Sequence, residues 1–173
     1  MHNKNIWSPW RYDYIRNLSE ELNEASRADQ SEGENKNFIA SYFQTPEQDE
    51  ANFVIHRNND GIVFLNRYPY ANGHILVALG EAKPELLAYS ESQRNSLWKL
   101  VETGSAILKT KLNPQGMNIG INEGQVSGAG VPQHLHVHII PRWSGDTNFM
   151  ASVGDVRVIP ASLSRMWKQL TSA

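Results

Sequence analysis

Three histidines alternate with apolar residues in one short stretch of the chain. The stretch reads His134-Leu135-His136-Val137-His138-Ile139-Ile140. Successive side chains of a β-strand point to opposite faces, so an extended segment over residues 134–140 would place the three imidazoles on one face and the apolar side chains on the other. The pattern predicts a strand that packs on one side and presents a row of titratable rings on the other.

Three interpretations of this histidine row can be compared. A purely structural role is disfavoured, because each proton bound by one ring raises the cost of protonating its neighbour. A shared metal site is limited by distance, since His134 and His138 are four strand steps, roughly 13 Å, apart. The flanking residues favour the third interpretation, in which His136 is a nucleophile and its neighbours hold an anionic substrate and its leaving group.

The same stretch resembles the His-x-His-x-His-x-x motif, with x apolar, of the histidine triad (HIT) superfamily of nucleotide hydrolases and nucleotidyl transferases. Its continuation, Pro141-Arg142-Trp143, and further segments are similar to the bacterial branch that includes diadenosine tetraphosphate phosphorylases. Those segments are residues 6–15, 118–122, 127–130 and 141–150. The resemblance therefore runs in pieces over most of the chain.

The fold class that this resemblance implies is α+β, with a HIT-like antiparallel sheet of about five strands, one long helix packed on it and a C-terminal helix. Local patterns agree with it. Residues 53–66 read as a β-hairpin with a turn at 58–61, and strands are predicted over 74–79, 116–122 and 156–159. A capping box at Ser90 and Gln93 begins a long helix that ends at Asn113-Pro114, and a last helix is predicted over 162–170.

The chain is expected to form a single HIT-like domain over residues 1–173, because this length suffices to bury one core. Residues 1–50 form an N-terminal extension, 51–143 the HIT core and 144–173 a C-terminal extension. The aromatic residues within 1–15 are expected to dock on the body or on a partner subunit. The acidic segment 19–50 is predicted to hold a short helix near 19–28 followed by a mobile loop.

Composition excludes several classes of protein. A net charge of −2 offers no basic face for a nucleic acid polymer. The absence of cysteine excludes disulfides, thiolate catalysis and cysteine-bound zinc. The N-terminus has no apolar signal segment, and no run approaches the roughly 18 apolar residues of a membrane span. A soluble cytoplasmic protein that does not act at a membrane is expected.

The resemblance also implies a position for structural zinc, which many relatives bind. Ala40 and Phe43 occupy the places of a Cys-x-x-Cys pair in those relatives, whose other ligands are the first triad histidine and a histidine after the third strand. Residues 79–83 contain no histidine. We therefore predict no zinc and no cofactor held by the protein, with Tyr42 and Phe43 filling the space and any divalent cation carried by the substrate.

The resemblance assigns roles to particular residues. His136 would be the nucleophile, His138 the donor to phosphate or leaving-group oxygens and His134 the positioning member of the triad. Asn66 would face a ribose, for which an amide suits two vicinal hydroxyls, although it also reads as an ordinary polar strand end. The predicted substrate-binding residues are Asn66, His74, Asn122, Ser127, Gly128, Ala129, Gly130 and Trp143. For His74 a strand cap, and for Trp143 simple packing, are alternative roles.

The function expected from these residues is nucleotidyl transfer on adenosine polyphosphates through a nucleotidyl-histidine. The leading form is phosphorolysis of diadenosine tetraphosphate to ADP and ATP. The alternatives are a hydrolase of dinucleoside polyphosphates or adenosine phosphoramidates, an adenylate-binding module without turnover and a metal-binding protein. The expected partners are a small nucleotide and phosphate, and the resemblance implies a homodimer with contacts at the long helix or the N-terminus.

Overall fold

The computed structural model describes residues 37–146 and 159–172, which contain one five-stranded antiparallel sheet and three α-helices. The strands are β1 Val54–Arg57, β2 Gly61–Leu65, β3 Ile75–Leu79, β4 Gly116–Ile121 and β5 Val137–Arg142. The helices are α1 Phe38–Gln44, α2 Glu91–Leu112 and α3 Leu163–Thr171. The predicted α+β fold, with its long helix and C-terminal helix, is confirmed.

The strand order is β1-β2-β3-β5-β4, so the histidine-bearing strand β5 lies between β3 and the edge strand β4. Every residue of β2 and of β3 is buried. The register pairs Leu76 of β3 and Gly120 of β4 with His138 of β5. His138 is therefore held between two neighbouring strands, whereas the outer side of β4 is largely exposed.

The predicted hairpin of β1 and β2 closes through an asparagine-based turn. The side-chain oxygen of Asn58 accepts hydrogen bonds from the backbone N–H groups of Asp60 and Gly61, each at 2.9 Å. The two strands then pair in antiparallel register, with one irregularity between Val54 and His56. Local side-chain chemistry thus accounts for the position of this turn.

Helix α2 covers one face of the sheet. It begins with the predicted capping box, in which Ser90 and Gln93 exchange side-chain and backbone hydrogen bonds, and it ends at Asn113 in the left-handed conformation, with φ of 46°. Its buried stripe is Leu97, Leu100, Val101, Gly104 and Leu108. This stripe packs on the alternate side chains of β2, β3 and β5 that point to the same face.

Helix α3 extends this core toward β1. Met166 and Leu170 are buried in the same cluster. The indole Nε1–H of Trp167 donates a 2.8 Å hydrogen bond to the carbonyl oxygen of Val54. The C-terminal helix is thereby fixed to the start of the first strand.

Helix α1 covers part of the other face, so the prediction of a mobile loop after residue 28 is wrong for Phe38–Gln44. Asn37 caps the helix, since its Oδ1 accepts a 3.1 Å hydrogen bond from the N–H of Ala40. Ile39 and Tyr42 are buried in a second apolar cluster with the β2 residue Phe64. Burial of one face therefore stabilises a seven-residue helix that has little intrinsic stability by itself.

The other end of α1 is held by a single arginine. Arg57 donates to the carbonyl oxygens of Tyr42 and Phe43 and forms a bidentate ion pair with Asp49. Because these carbonyls lie at the C-terminal end of the helix, they lack intrahelical partners, and the guanidinium supplies them. Helix α1 is thus attached to the body at both ends.

Strand β5 begins at Val137, so the prediction of one strand carrying all three histidines is wrong. His134 and His136 precede the strand, and only His138 lies within it. The backbone carbonyl of Leu79 in β3 accepts from the side-chain Nε2 of His134 at 2.7 Å, and the N–H of Leu135 donates to Lys83 beyond the end of β3. The His134 side chain thus occupies the Leu79 carbonyl that a backbone N–H would otherwise use, and the backbone pairing of β5 with β3 begins only at Val137.

Some predictions lie outside the described residues. These are the aromatic docking segment within residues 1–15, the helix near 19–28 and most of the strand predicted over 156–159, of which Ile159 is described and is not in a strand. Within residues 37–146 and 159–172, none of the helices has the length and apolar character needed to cross a lipid bilayer.

Two strand glycines provide a matched test of the packing. A Cβ on Gly61 would overlap the carbonyl oxygen of Ala78 and lie 2.9 Å from Cα of Leu79, whereas a Cβ on Gly116 would meet nothing within 4 Å. We expect Gly61→Ala to lower the free energy of unfolding by about 2 kcal/mol and Gly116→Ala to change it by less than about 0.5 kcal/mol, as measured by urea denaturation. Equal losses would contradict the packing described at β2.

Candidate active site

The triad borders a cavity on the α1 side of the sheet. Its volume is 440 Å³, and His136 and His138 line it together with residues from α1, β2, β3 and two loops. The other lining residues are Phe38, Tyr42, Phe64, Leu65, Asn66, Arg67, Tyr68, Tyr70, Leu76, Gly128, Gly130 and Val131. One end of this cavity is therefore aromatic and the other carries imidazoles.

His136 has one ring nitrogen fixed by the backbone. Its Nδ1 lies 2.9 Å from the carbonyl oxygen of His134, and because a carbonyl can only accept, Nδ1 carries the proton. In the neutral ring Nε2 then carries the lone pair, and no residue of the described chain is hydrogen-bonded to it. This is the tautomer that a nucleophilic histidine requires.

His138 has its tautomer fixed through a second histidine. The backbone N–H of Tyr70 donates to Nδ1 of His74 at 3.1 Å, so His74 carries its proton on Nε2. That Nε2 lies 3.0 Å from Nδ1 of His138, which must accept. His138 therefore carries its proton on Nε2, a buried atom with no hydrogen-bond partner among the described residues. The arrangement leaves one N–H donor unsatisfied at the cavity.

Burial keeps the triad neutral. Desolvation lowers the pKa of His138 to about 4, and the neighbouring His136 contributes to this shift. Burial also lowers the pKa of His136, although its hydrogen bond to the His134 carbonyl opposes the change. The two rings, whose centroids are 5.1 Å apart, are thus both uncharged near neutral pH. One presents a lone pair and the other an N–H.

His134 lies behind the cavity and does not line it. Its ring is fully buried, with Nε2 2.7 Å from the carbonyl oxygen of Leu79 and Nδ1 3.0 Å from Oδ1 of Asn37. Burial lowers the pKa of His134, and the hydrogen bond to Leu79 opposes that shift. The structure therefore places the first triad histidine as a support beneath the other two.

The loop between β4 and β5 has fewer available donors than predicted. The N–H groups of Gly128 and Ala129 donate to Gln125 and Gly124 within the loop, and the Ser127 hydroxyl contacts the carbonyls of residues 123 and 124. Gly130 lines the cavity, and its N–H has no partner among the described residues. The N–H of Gly130 is therefore available to a phosphate oxygen, whereas the N–H groups of Gly128 and Ala129 are already hydrogen-bonded within the loop.

The remaining predicted site residues occupy different positions. Asn66 lines the cavity, accepts from the N–H of Tyr68 and contacts Nδ1 of His74 at 3.3 Å. The amide of Asn122 lies beside Gly128, 3.8 Å from the position of a Cβ there. Trp143 follows the far end of β5, roughly 16 Å along the strand from His138, and does not line this cavity. Its binding role stays a prediction.

The aromatic end of the cavity was missed in the sequence. Phe38 and Tyr42 of α1 and Phe64 of β2 form a cluster with ring centroids 5.2 to 6.3 Å apart. Arg67 lies over the ring of Tyr42, and Tyr70 is stacked on His138 with an interplanar angle of 9°. The spacing of Phe38 and Tyr42, four residues apart after a capping asparagine, was the available signal.

The residues at the implied zinc position do not fit that metal. Ala40 and Phe43 offer no ligand atom, and both nitrogens of His134 face oxygen atoms. The Phe43 ring occupies the space beside Gly80, where any side chain on residue 80 would overlap it. Among residues 37–146 and 159–172, no group of three or more histidine, aspartate or glutamate side chains could hold a metal ion.

Comparison with known proteins identifies the family of this chain. The HIT domain model matches residues 47–145. AP-4-A phosphorylase of Mycobacterium tuberculosis (strain CDC 1551 / Oshkosh) is 30% identical over 159 residues, which cover 91% of this chain and 77% of that protein. The asymmetrical bis(5'-nucleosyl)-tetraphosphatase of Schizosaccharomyces pombe is 34% identical over 93 residues, which cover 54% of this chain and 50% of that protein.

Solved structures share the fold. A Hit-like protein from Bartonella henselae has a TM-score of 0.63 at 22% identity and covers 82% of this chain and 98% of its own. A zinc-bound histidine triad family protein from Mycobacterium smegmatis has a TM-score of 0.61 at 21% identity and covers 76% of this chain and 90% of its own. At these identities the likeness concerns the architecture.

The lowered histidine pKa values predict a dependence of stability on pH. Between about pH 4 and pH 6.5 the unfolded chain binds more protons at His138 than the folded chain does, so acidification through this range destabilises the fold. We expect the free energy of unfolding to be lower near pH 5 than near pH 7, with His138 alone accounting for a loss on the order of 3 kcal/mol by pH 4.

Urea denaturation at the two pH values measures this difference. His138→Asn should reduce the dependence on pH, whereas the control His56→Asn, which removes a histidine from β1, should retain it. A stability that does not change over this range would contradict the burial of neutral rings.

Proposed function

The chain belongs to the HIT domain family and is similar to enzymes that process nucleotides, and from this premise we propose that it transfers a nucleotidyl group through His136. The preferred reaction is phosphorolysis of diadenosine tetraphosphate to ADP and ATP. The observation that carries this proposal is the hydrogen bond from His136 Nδ1 to the His134 carbonyl, which leaves Nε2 as a nucleophile beside a cavity of nucleotide size.

In the first step Nε2 of His136 attacks the α-phosphorus of the substrate. An N–P bond forms, the bond from that phosphorus to the bridging oxygen breaks, and ATP leaves. In the second step an oxygen of inorganic phosphate attacks the adenylyl-histidine, which releases ADP and restores the neutral ring. If water replaces phosphate, the product is AMP and the reaction is the alternative hydrolysis.

His138 is suited to the leaving group. Its Nε2–H is an unsatisfied buried donor, and the ring is held between His74 and the stacked Tyr70. A donor that is already oriented stabilises charge on a departing oxygen without reorganising in the transition state. We assign His138 to the leaving oxygen and the N–H of Gly130 to a phosphate oxygen.

The aromatic end of the cavity is suited to the base. Phe38, Tyr42 and Phe64 offer faces and edges against which a purine can stack, and Val131 and Leu76 complete an apolar surface. Asn66 lines the cavity and its amide contacts His74, so we assign it to the ribose. The proposal thus gives the base, the sugar and the phosphates separate surfaces.

The choice of phosphorolysis over hydrolysis is supported by the extent of similarity. The phosphorylase from Mycobacterium tuberculosis aligns with 91% of this chain, whereas the tetraphosphatase from Schizosaccharomyces pombe aligns with 54%. Hydrolysis of dinucleoside polyphosphates or adenosine phosphoramidates remains the second candidate. A binding module without turnover would not require the fixed tautomers of His136 and His138, and it is therefore the weakest alternative.

The covalent intermediate is the first test. Wild-type protein mixed briefly with diadenosine tetraphosphate and then denatured should gain the mass of one adenylyl group, because Nε2 of His136 attacks and the adduct accumulates when no acceptor is added. His136→Ala should gain no mass. His56→Ala removes a histidine outside the cavity and should react like wild type.

Adding inorganic phosphate then separates the two fates of the adduct. Loss of the adduct with release of ADP would support phosphorolysis, and release of AMP alone would support hydrolysis. If wild type consumes no substrate and forms no adduct, the enzymatic proposal fails for this substrate.

The role of His138 is tested by comparing two substrates whose leaving groups differ in their need for a hydrogen-bond donor. His138→Phe removes the N–H donor, so formation of the adduct from diadenosine tetraphosphate should slow by about 100-fold or more. With the 4-nitrophenyl ester of AMP, whose leaving group is stable without such a donor, the loss should be markedly smaller. Equal losses on both substrates, measured in single-turnover experiments, would remove His138 from this role.

The homodimer and the cytoplasmic location implied by the sequence stay predictions. Strand β4 is an edge strand, and Ile119 on it is 46% exposed. Unpaired edges of this kind are sites at which sheets of two chains can join. We propose this edge as a dimer contact, in addition to the long helix and the N-terminal segment that the sequence suggests.

A further inference from the structure

One side chain connects helix α1 with the triad. Oδ1 of Asn37 accepts the capping hydrogen bond from Ala40 at 3.1 Å and also lies 3.0 Å from Nδ1 of His134. Because the N–H of Ala40 can only donate, the oxygen of the amide, and not its nitrogen, faces both groups. The same oxygen atom of Asn37 therefore caps the N-terminal end of α1 and contacts a histidine of the triad.

The His134 ring is held by two oxygen atoms. Leu79 offers its carbonyl to Nε2 and Asn37 offers its amide oxygen to Nδ1. A neutral ring has one N–H and satisfies one of these acceptors, whereas a doubly protonated ring satisfies both. Because burial keeps the ring neutral, it donates to only one of these oxygens, and the Asn37 oxygen is the acceptor for a proton on Nδ1.

The contacts of the His134 ring add to those of its backbone. His134 precedes β5 and has no strand partner, and its N–H donates only within the local turn, to Val131 at 3.1 Å. Its carbonyl oxygen is nevertheless the group that fixes the proton on Nδ1 of His136. The N–H of Leu135, in the same peptide group, donates to the carbonyl oxygen of Lys83 at 2.8 Å, so the contacts of the His134 ring are a second restraint on this carbonyl.

Helix α1 also forms part of the cavity wall. Phe38 follows Asn37 directly and, with Tyr42, lines the aromatic end of the cavity. At the other end of the helix, Arg57 binds the carbonyl oxygens of Tyr42 and Phe43. A base that packs on these rings would contact α1, the helix whose capping residue contacts His134.

We propose that Asn37 is a positioning residue that couples the seating of α1, and hence the occupation of the aromatic end of the cavity by a base, to the orientation of His136. This inference rests on the proposed nucleotidyl transfer for its kinetic consequence. Its structural part, the control of the His136 tautomer through His134, is independent of any reaction.

Substitutions at Asn37 can separate capping from positioning. Asn37→Ser keeps a good helix cap but is too short to reach His134, whereas Asn37→Asp keeps both the cap and an oxygen at the same place. Asn37→Ala loses both contacts. Ser162→Ala is the matched control, because it removes the side-chain cap of α3, far from the triad in the chain, where Ser162 accepts from the N–H of Arg165.

Two readouts are needed. Imidazole ¹⁵N NMR spectra report the tautomer of His136 in the free protein, and single-turnover mass spectrometry reports the rate of adenylyl-histidine formation. For Asn37→Ser we expect a mixed His136 tautomer and adduct formation slowed by about tenfold, with a smaller change in the Kd of AMP. Asn37→Asp should restore the tautomer and bring the rate to within about threefold of wild type. Ser162→Ala should lower the Tm without changing either readout.

The outcomes distinguish the two proposals. If the Ser and Asp variants give the same tautomer and the same rate, Asn37 is a helix cap only and the coupling is overturned. If wild type forms no adduct, the nucleotidyl transfer fails, but a His136 tautomer that changes in Asn37→Ser and is restored in Asn37→Asp still supports the positioning role.

Discussion

Four imidazoles are buried within or beside this sheet, and none of them can rely on bulk water to satisfy its ring nitrogens. The protein supplies the partners itself: carbonyl oxygens for His134 and His136, a backbone N–H for His74 and one imidazole for another at His138. At His136, His74 and His138 the partner fixes the position of the proton, because a carbonyl oxygen only accepts and a backbone N–H only donates. The result is a pair of neighbouring rings, one with a lone pair and one with an N–H, that needs no charged residue to define it.

Much of the fold could be predicted because its signals are local. The capping box at Ser90 and the asparagine turn at Asn58 each act within four residues, so the chain shows them directly. The alternation of Leu135, Val137 and Ile139 also survives in the structure, since all three pack in the core beneath α2. The three histidines are also evident in the sequence, whereas the carbonyl of His134 as the partner of His136 is seen only in the structure.

The parts that were missed depend on distant residues. Helix α1 is only seven residues long and lies in an acidic segment, so its local signals, a capping asparagine and two aromatic residues four apart, are weak. Contacts with Arg57, His134 and the apolar face of β2 stabilise it. The late start of β5 has a similar origin, since the His134 ring bonds the Leu79 carbonyl in place of a backbone N–H. The aromatic end of the cavity could not be placed without that helix.

The packing of Phe43 against Gly80 has a consequence for how relatives of this chain can differ. Any side chain at position 80 overlaps the phenylalanine ring, so the two positions cannot change independently. A lineage that introduced a cysteine at position 43 would empty the volume that the ring fills, and one that introduced a side chain at position 80 first would displace α1. Residues 43 and 80 are therefore coupled, because the order of their substitutions decides whether the intermediate protein carries a cavity or an overlap at this contact.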